Sequence, residues 1–314
     1  MMFQSGYVAI VGRPNAGKST LLNTILKSEI SIVTPKEQTT RDTILGIYTV
    51  KKGQIIFIDT PGIHTFRKVK INELMMQEVF FSLENADLIW YLMESTSSYE
   101  KEQLALDLLS LTKKPIFLII NKADKKKNLS KDYDLVFKKS IAKKRYFISA
   151  LQAEGLEQLL KDTWEEMPEG GPFYSSEDQI SDRPMRFFVG EKIREQIYLH
   201  CQQEIPYASA IEIRTFRETT DPIYIEAIIY VERESQKGIV IGKQAKKIKQ
   251  IGQEARIKLE AFLACKIFLD LKVKVLEKWS EREDYLKKMG YITSKKSKLL
   301  DSWMRRNVEN ERKI

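Results

Sequence analysis

The sequence predicts an α/β domain built on a mostly parallel sheet, followed by a smaller α+β domain. Three observations carry this. Apolar runs at Tyr7–Val11, Gln54–Ile58, Leu88–Met93, Pro115–Ile120 and Tyr146–Ile148 read as core strands. The stretch from Pro168 to Arg183 is rich in Pro, Gly and Ser, as a connection between domains should be. Beyond it, an amphipathic helical segment precedes two runs that alternate like antiparallel strands.

The bulk properties agree. A chain of 314 residues, 43% hydrophobic, has room for about two cores. Its formal charge of +9 is unevenly placed: residues 1–180 carry 24 basic and 23 acidic side chains, residues 181–314 carry 28 and 20. A basic second half beside a nearly neutral first half points to a polyanionic partner. No Cys/His cluster has metal-ligand spacing, and no apolar window reaches the length of a membrane span. The N-terminus lacks a basic segment followed by an apolar run, so no export signal is read there. Cys201 and Cys265 read as reduced thiols of a cytoplasmic protein.

The first strand runs into Gly12–Ser19, G-R-P-N-A-G-K-S, and a helix opens at Lys18 with Leu21, Leu22 and Ile25 at core spacing. Strand, glycine loop and helix in that order form a phosphate cradle. Gly12 and Gly17 let the backbone turn and approach phosphate. The amides from Asn15 to Thr20 point at the anion, Lys18 reaches the β- and γ-phosphates, and Ser19 offers its hydroxyl to Mg²⁺. Gln54–Ile58 ends in Asp59-Thr60-Pro61-Gly62. Asp59 is placed to hold a magnesium-bound water, and the Gly62 amide to meet the γ-phosphate. Between the two lies the polar stretch Pro35–Asp42, suited to a segment whose hydroxyl meets the metal only when γ-phosphate is present. Thr40 is the first choice for that hydroxyl and Thr39 the second, and sequence does not order them. Ile63–Lys70 reads as the second switch. Lys18, Thr40, Asp59 and Gly62 are the expected catalytic set.

Pro115–Ile120 runs into Asn121-Lys122-Ala123-Asp124. A carboxylate at Asp124 accepts from both N1–H and the N2 amine of guanine. Adenine would leave it unpaired, at a cost of roughly 1–3 kcal/mol or more. Asn121 ties this loop to the phosphate loop, the Lys122 stem covers the ring, and the amides of Ser149 and Ala150 are expected to reach guanine O6. GTP and GDP are therefore the expected ligands. His64 reads as a loop residue rather than a chemical one, and Lys125–Lys127 and Lys143–Arg145 as solvated faces.

These segments resemble the translation-factor-related GTPases of the TrmE-Era-EngA-YihA-Septin-like superfamily, whose first switch reads T-T-R-D, here Thr39–Asp42. Ile63 stands where other relatives carry a water-orienting glutamine, which implies slow intrinsic turnover. Some members bind potassium through a phosphate-loop asparagine, and Asn15 matches that position. Over about residues 5–292 the chain resembles the Era family, bacterial GTPases of small-subunit assembly with a C-terminal KH domain. Pro168–Arg183, Phe187–Ile197 and Gln203–Tyr207 carry that resemblance. It implies domains at 1–168 and 185–292, a linker at 169–184 and a basic extension at 293–314. It also implies a cytoplasmic monomer that binds the 3′ end of 16S ribosomal RNA and assists 30S subunit maturation; the alternative is a regulatory GTPase at the inner face of the membrane, its basic half in peripheral contact with lipid, that couples cell cycle or growth to ribosome status.

In the second domain, Met185–Cys201 reads as a helix, Ile211–Phe216 and Ile223–Arg233 as a strand pair, 244–250 and 252–265 as two helices, and Lys266–Val275 as a returning strand. The order matches a type II KH domain. Its turn, Gly242-Lys243-Gln244-Ala245, would hold single-stranded nucleotides against an apolar groove. Lys243 and Lys246 are expected at phosphates, Lys247 and Lys249 to add field, and Ile241 and Ile248 to line the groove. Ala245 replaces the second glycine of the KH pattern. His200 and Trp279 read as packing residues. In the extension, Leu299, Leu300, Trp303 and Met304 share one helical face, with packing on the KH domain the first expectation.

Overall fold

The computed structural model describes residues 2–64, 70–125, 132–218, 221–291, 297–301 and 303. Its first half is a six-stranded sheet in the order β2-β3-β1-β4-β5-β6. The strands are β1 (Gln4–Gly12), β2 (Ile44–Val50), β3 (Gly53–Asp59), β4 (Leu88–Glu94), β5 (Ile116–Asn121) and β6 (Lys144–Phe147). Only β2 runs antiparallel to its neighbour; every other pairing is parallel. The continuous apolar runs follow from burial on both faces. One face packs on α1 (Lys18–Leu26) and α5 (Leu156–Glu165), the other on α2 (Lys70–Asn85), α3 (Tyr99–Leu109) and α4 (Tyr133–Ser140). The β1, β3, β5 and β6 ends that carry the predicted ligand segments lie along one edge of the sheet, where α/β folds bind ligands.

The second half begins with α6 (Met185–His200) and a three-stranded sheet of β7 (Ala210–Arg217), β8 (Ile223–Val231) and β9 (Ile267–Val275). β7 pairs antiparallel with β8, and β9 parallel. Between β8 and β9 stand α7 (Glu234–Ile241) and α8 (Lys246–Leu263), and α9 (Glu283–Lys288) follows. Two expectations change here. The helix at 234–241 precedes the glycine turn, and the stretch read as two helices is one. Gly252 does not break α8, because Ile251, Ala255 and Leu259 keep one buried face in register through it.

The connection between the halves is stitched down along its length. Gly170 N–H donates to Phe3 O at 3.0 Å, Gln54 Oε1 accepts from Phe173 and Tyr174 N–H, and Ile47 N–H donates to Ile180 O at 2.9 Å. Arg183 Nη2 donates to Thr43 O at 2.9 Å. The last part of the linker, from Ile180, thereby lies along the outer edge of β2, while Gly170, Phe173 and Tyr174 are held by Phe3 and Gln54.

The described residues of the extension pack on the first half of the chain, not on the second. Leu299, Leu300 and Trp303 pack against the core shared by α2, α3 and α4. The Trp303 ring lies 6.1 Å from that of Phe80, and Leu299 N–H donates to Glu84 Oε1 at 2.7 Å. Burying that stripe against an apolar helix face is what its spacing required; sequence could not say which helix would receive it. Met304 and the basic residues Lys295, Lys296, Arg305 and Arg306 lie outside the described residues, as does most of the second switch.

Candidate nucleotide site and nucleic-acid interface

Gly17 sits at φ +97°, and a Cβ there would fall 2.2 Å from Asn121 Nδ2. Only glycine lets the base-binding strand end press so closely on the phosphate loop. Lys18, 6% exposed, donates to the carbonyls of Gly12 and Arg13, both at 3.0 Å. Burial pulls its ammonium down to about 8, against the pull of Asp59 and Glu102. A buried cation held only by carbonyls is suited to an incoming anion.

Ser19, Thr40 and Asp59 come together. Ser19 Oγ donates to Asp59 Oδ2 at 2.8 Å and lies 2.9 Å from Thr40 Oγ1. The structure separates the two threonines: Thr39 Oγ1 is 2.6 Å from Thr34 Oγ1 and donates to Lys36 O, facing away. Burial pushes the Asp59 carboxyl up, opposed by Lys18, Ser31 and Ser19. Asp59 Oδ1 is buried with no hydrogen-bond partner. Two hydroxyls and a carboxylate with an unspent oxygen fit magnesium, which takes hard oxygen ligands and needs few from protein. Among the described residues no cluster of three or more His, Cys, Asp or Glu forms another metal site.

Gly62 lies against Pro14, with room for no side chain. Ile63 N–H donates to Gly12 O at 3.0 Å and its side chain is buried in the core. His64 Nδ1 lies 2.8 Å from Gly62 O, a contact within its own loop. Asn15, at φ +63°, donates its amide to Pro35 O. A cavity of about 490 Å³ joins Asn15, Gly17, Lys18, Ser19, Thr20, Thr40, Gly62 and Lys122. Gln38, inside the polar stretch Pro35–Asp42, also lines it, as do Ile32, Val33 and Glu94, which no pattern in the sequence marks.

Asn121 Oδ1 accepts from Ala150 N–H at 2.9 Å. Ser149 N–H donates to Glu154 O at 3.1 Å, closing the turn that follows. Both of the amides expected at guanine O6 thus have a protein acceptor in this structure. Lys122 Nζ pairs with Glu94 at 3.0 Å, which lays its stem across the cavity mouth. Asp124 stands in the turn after β5, where Ala123 N–H donates to Ile148 O.

In the other half, Gly242 (φ +70°) would clash with the Lys247 stem at 2.7 Å if given a Cβ. Gln244 and Ala245 take φ of +52° and +57°. Lys243, Gln244 and Lys246 are exposed at this turn. The groove beside it is lined by Ile248 and Lys249 together with Gly252, Gln253, Arg256, Leu269 and Leu271. Ile241 ends α7 and is not part of that lining. Of the last five, Gly252 and Arg256 are marked in the sequence by their i, i+4 spacing from Ile248, while Gln253 and the β9 residues Leu269 and Leu271 join the groove only through the fold. His200 pairs with Glu254 at 2.8 Å, and the fully buried Trp279 donates to Ala208 O.

The halves meet through the first switch. Lys36 Nζ donates to the carbonyls of Tyr198 and Cys201 at the end of α6. Tyr198 Oη donates to Gln38 O at 3.1 Å, and Arg41 enters the KH half entirely.

A phosphate loop, a metal-suited hydroxyl–carboxylate group and the Asn121–Asp124 turn on one sheet edge, joined to a glycine-turn helix pair, define a P-loop GTPase carrying a KH domain. Comparison with known proteins agrees. Residues 7–122 match the family of 50S ribosome-binding GTPases, and residues 204–280 match the KH domain family. GTPase Era of Carboxydothermus hydrogenoformans is 42% identical over 93% of this chain and 99% of its own. GTPase Era of Xylella fastidiosa is 44% identical over 92% and 98%. A variant of Aquifex aeolicus Era bound to GDP·AlF4⁻ superposes with a TM-score of 0.86 at 36% identity, over 92% of this chain and 99% of that one. So does Era in complex with MgGDPNP and nucleotides 1506–1542 of 16S ribosomal RNA, with the same score, identity and coverage. The chain belongs to the Era family and is a GTPase.

Proposed function

We propose that this GTPase is a switch that grips single-stranded RNA at the 3′ end of 16S ribosomal RNA and assists maturation of the 30S subunit. The observation that carries this reading is the first switch itself: Thr40 stands at the metal-suited group, while Lys36, Gln38 and Arg41 on the same segment are anchored in the KH half. The relative solved with MgGDPNP and 16S nucleotides supports the choice of RNA.

In this reading Lys18 neutralises the β- and γ-phosphates, and Ser19 and Thr40 ligate magnesium, with Asp59 behind a metal-bound water. Bound magnesium supplies charge neutralisation between the terminal phosphates. Asp124 selects guanine, with Asn121, Lys122, Ser149 and Ala150 shaping the base pocket. Asn15 spends its amide on Pro35 and keeps a carbonyl oxygen, the ligand type a potassium ion takes. Ile63 spends its N–H on Gly12 and its side chain on the core, so neither orders the attacking water; slow intrinsic turnover follows. RNA lies along the Gly242–Ala245 turn and the groove from Ile248 to Arg256, with Lys243 and Lys246 at phosphates. No helix of the described residues is long and apolar enough to cross a membrane.

The test is binding of a short RNA matching the 16S 3′ end by protein with no nucleotide, with GDP and with GDPNP. Tighter binding with GDPNP is expected, and equal binding in all three would refute the switch.

A further inference from the structure

Arg41 is 4% exposed, yet every acceptor it meets is a neutral oxygen. Nη1 donates to Ser209 O at 2.8 Å and to Tyr291 Oη at 3.1 Å. Nη2 donates to Pro206 O at 2.7 Å, Tyr207 O at 2.9 Å and Tyr198 Oη at 3.2 Å. The guanidinium also lies 5.9 Å from the ring centres of Tyr198 and Trp279. All these partners belong to the KH half, while the residue before it, Thr40, reaches Ser19 in the GTPase half.

Burying a guanidinium costs several kcal/mol unless its donors are satisfied. This socket satisfies it with fixed carbonyl dipoles and phenol oxygens rather than a carboxylate. A slightly withdrawn arginine would lose those bonds while still out of water. The seat is therefore two-state: the side chain is fully in, or fully out and solvated. Lysine cannot replace it, because three donors on a point charge do not span five acceptors set around a planar fork.

Resting on the switch reading above, we propose that Arg41 is the positioning residue that carries nucleotide state into the RNA-binding half. With Thr40 at the metal-suited group, the backbone holds Arg41 at the depth where the socket closes. When Thr40 leaves, Arg41 is drawn out and the KH half loses its anchor. Because linkage is reciprocal, seating of Arg41 also favours GTP over GDP.

The experiment compares wild type, Arg41→Ala and Arg41→Lys for affinity toward GDPNP, GDP and the 16S 3′-end RNA, the RNA being measured with each nucleotide. In wild type, RNA is expected to bind at least tenfold tighter with GDPNP than with GDP. In both variants that ratio is expected to fall to within twofold, GDPNP affinity to drop severalfold, and GDP affinity to hold. A general loss of structure would weaken both nucleotides alike. Tyr291→Phe with Tyr198→Phe removes two acceptors from the socket side and is expected to give an intermediate ratio even if Arg41→Ala fails to fold. Retention of the wild-type ratio in Arg41→Ala, or in the double tyrosine variant should Arg41→Ala not fold, overturns the assignment. A wild-type ratio near one overturns the switch reading itself, and the assignment with it.

Discussion

Asn121 and Ala16 are joined by a buried hydrogen bond of 2.8 Å, from the asparagine Nδ2 to the alanine carbonyl. Since Asn121 Oδ1 also accepts from Ala150 N–H, one side chain pins the phosphate loop, the end of β5 and the end of β6 to each other. Asn121→Ala leaves a buried carbonyl and a buried N–H unpaired. The expected cost is about 1–3 kcal/mol of stability, with GTP and GDP weakened together. Chemical denaturation and nucleotide titration measure both.

Asp124→Asn exchanges an acceptor for a donor opposite N1 and N2 of the base. GTP affinity should fall by roughly tenfold to a hundredfold while xanthosine triphosphate gains, since its N1–C2 edge offers a carbonyl to the new amide. Unchanged preference in a competition assay would remove the base assignment.

Ala245→Gly should raise stability. Alanine at φ +57° pays a left-handed penalty of about 1 kcal/mol that glycine avoids. The thermal midpoint should rise by a few degrees, and RNA binding should tighten, because backbone can then approach the sugar where the methyl now stands. A lower midpoint would show that the methyl packs usefully.

Trp303→Ala tests where the C-terminal extension lies. It uncovers Phe80 and should cost about 1–3 kcal/mol, less than the 3–5 typical of a fully buried tryptophan. Hydrogen exchange should rise along α2. If protection there is unaltered, the extension does not rest on that helix.

Asp42 predicts a pH effect at the junction. Burial, then Glu191, lifts its carboxyl to about 7, with Arg183, Arg194 and Arg41 pulling the other way. The folded protein holds this proton more tightly than the unfolded chain. Its contribution to stability is thus greatest below pH ~4, declines as pH rises toward 7, and levels above that. Wild-type melting temperature should fall from pH 5.5 to 7, and Asp42→Asn should flatten that part of the curve.

What was legible in the sequence was what is local. The strands Tyr7–Val11, Leu88–Met93 and Pro115–Ile120 declare themselves because both faces are buried, and Gly12–Ser19 because phosphate binding needs its residues consecutive. The edge strand β2 escaped notice: Ile44–Val50 follows the polar switch directly and holds Gly46 and Thr49. Gly252 misled because a glycine inside a helix looks like an end until the opposite face is known. The partners of Asn121 and Arg41 lie up to 250 positions away. No spacing rule reaches so far, so the commitment of the Ser149 and Ala150 amides and the seating of Arg41 emerge only with the fold.

The way Ile180 and Ser181 lie along β2 bears on how this protein is made. Until Ile180 and Ser181 have been synthesised, the outermost strand of the first sheet presents bare amides and carbonyls to any neighbouring chain. An N-terminal fragment cut at residue 168 would keep every group proposed to contact nucleotide and still be prone to stick edge to edge. Anyone isolating the GTPase half should end it after Arg183, so that the chain supplies its own cover.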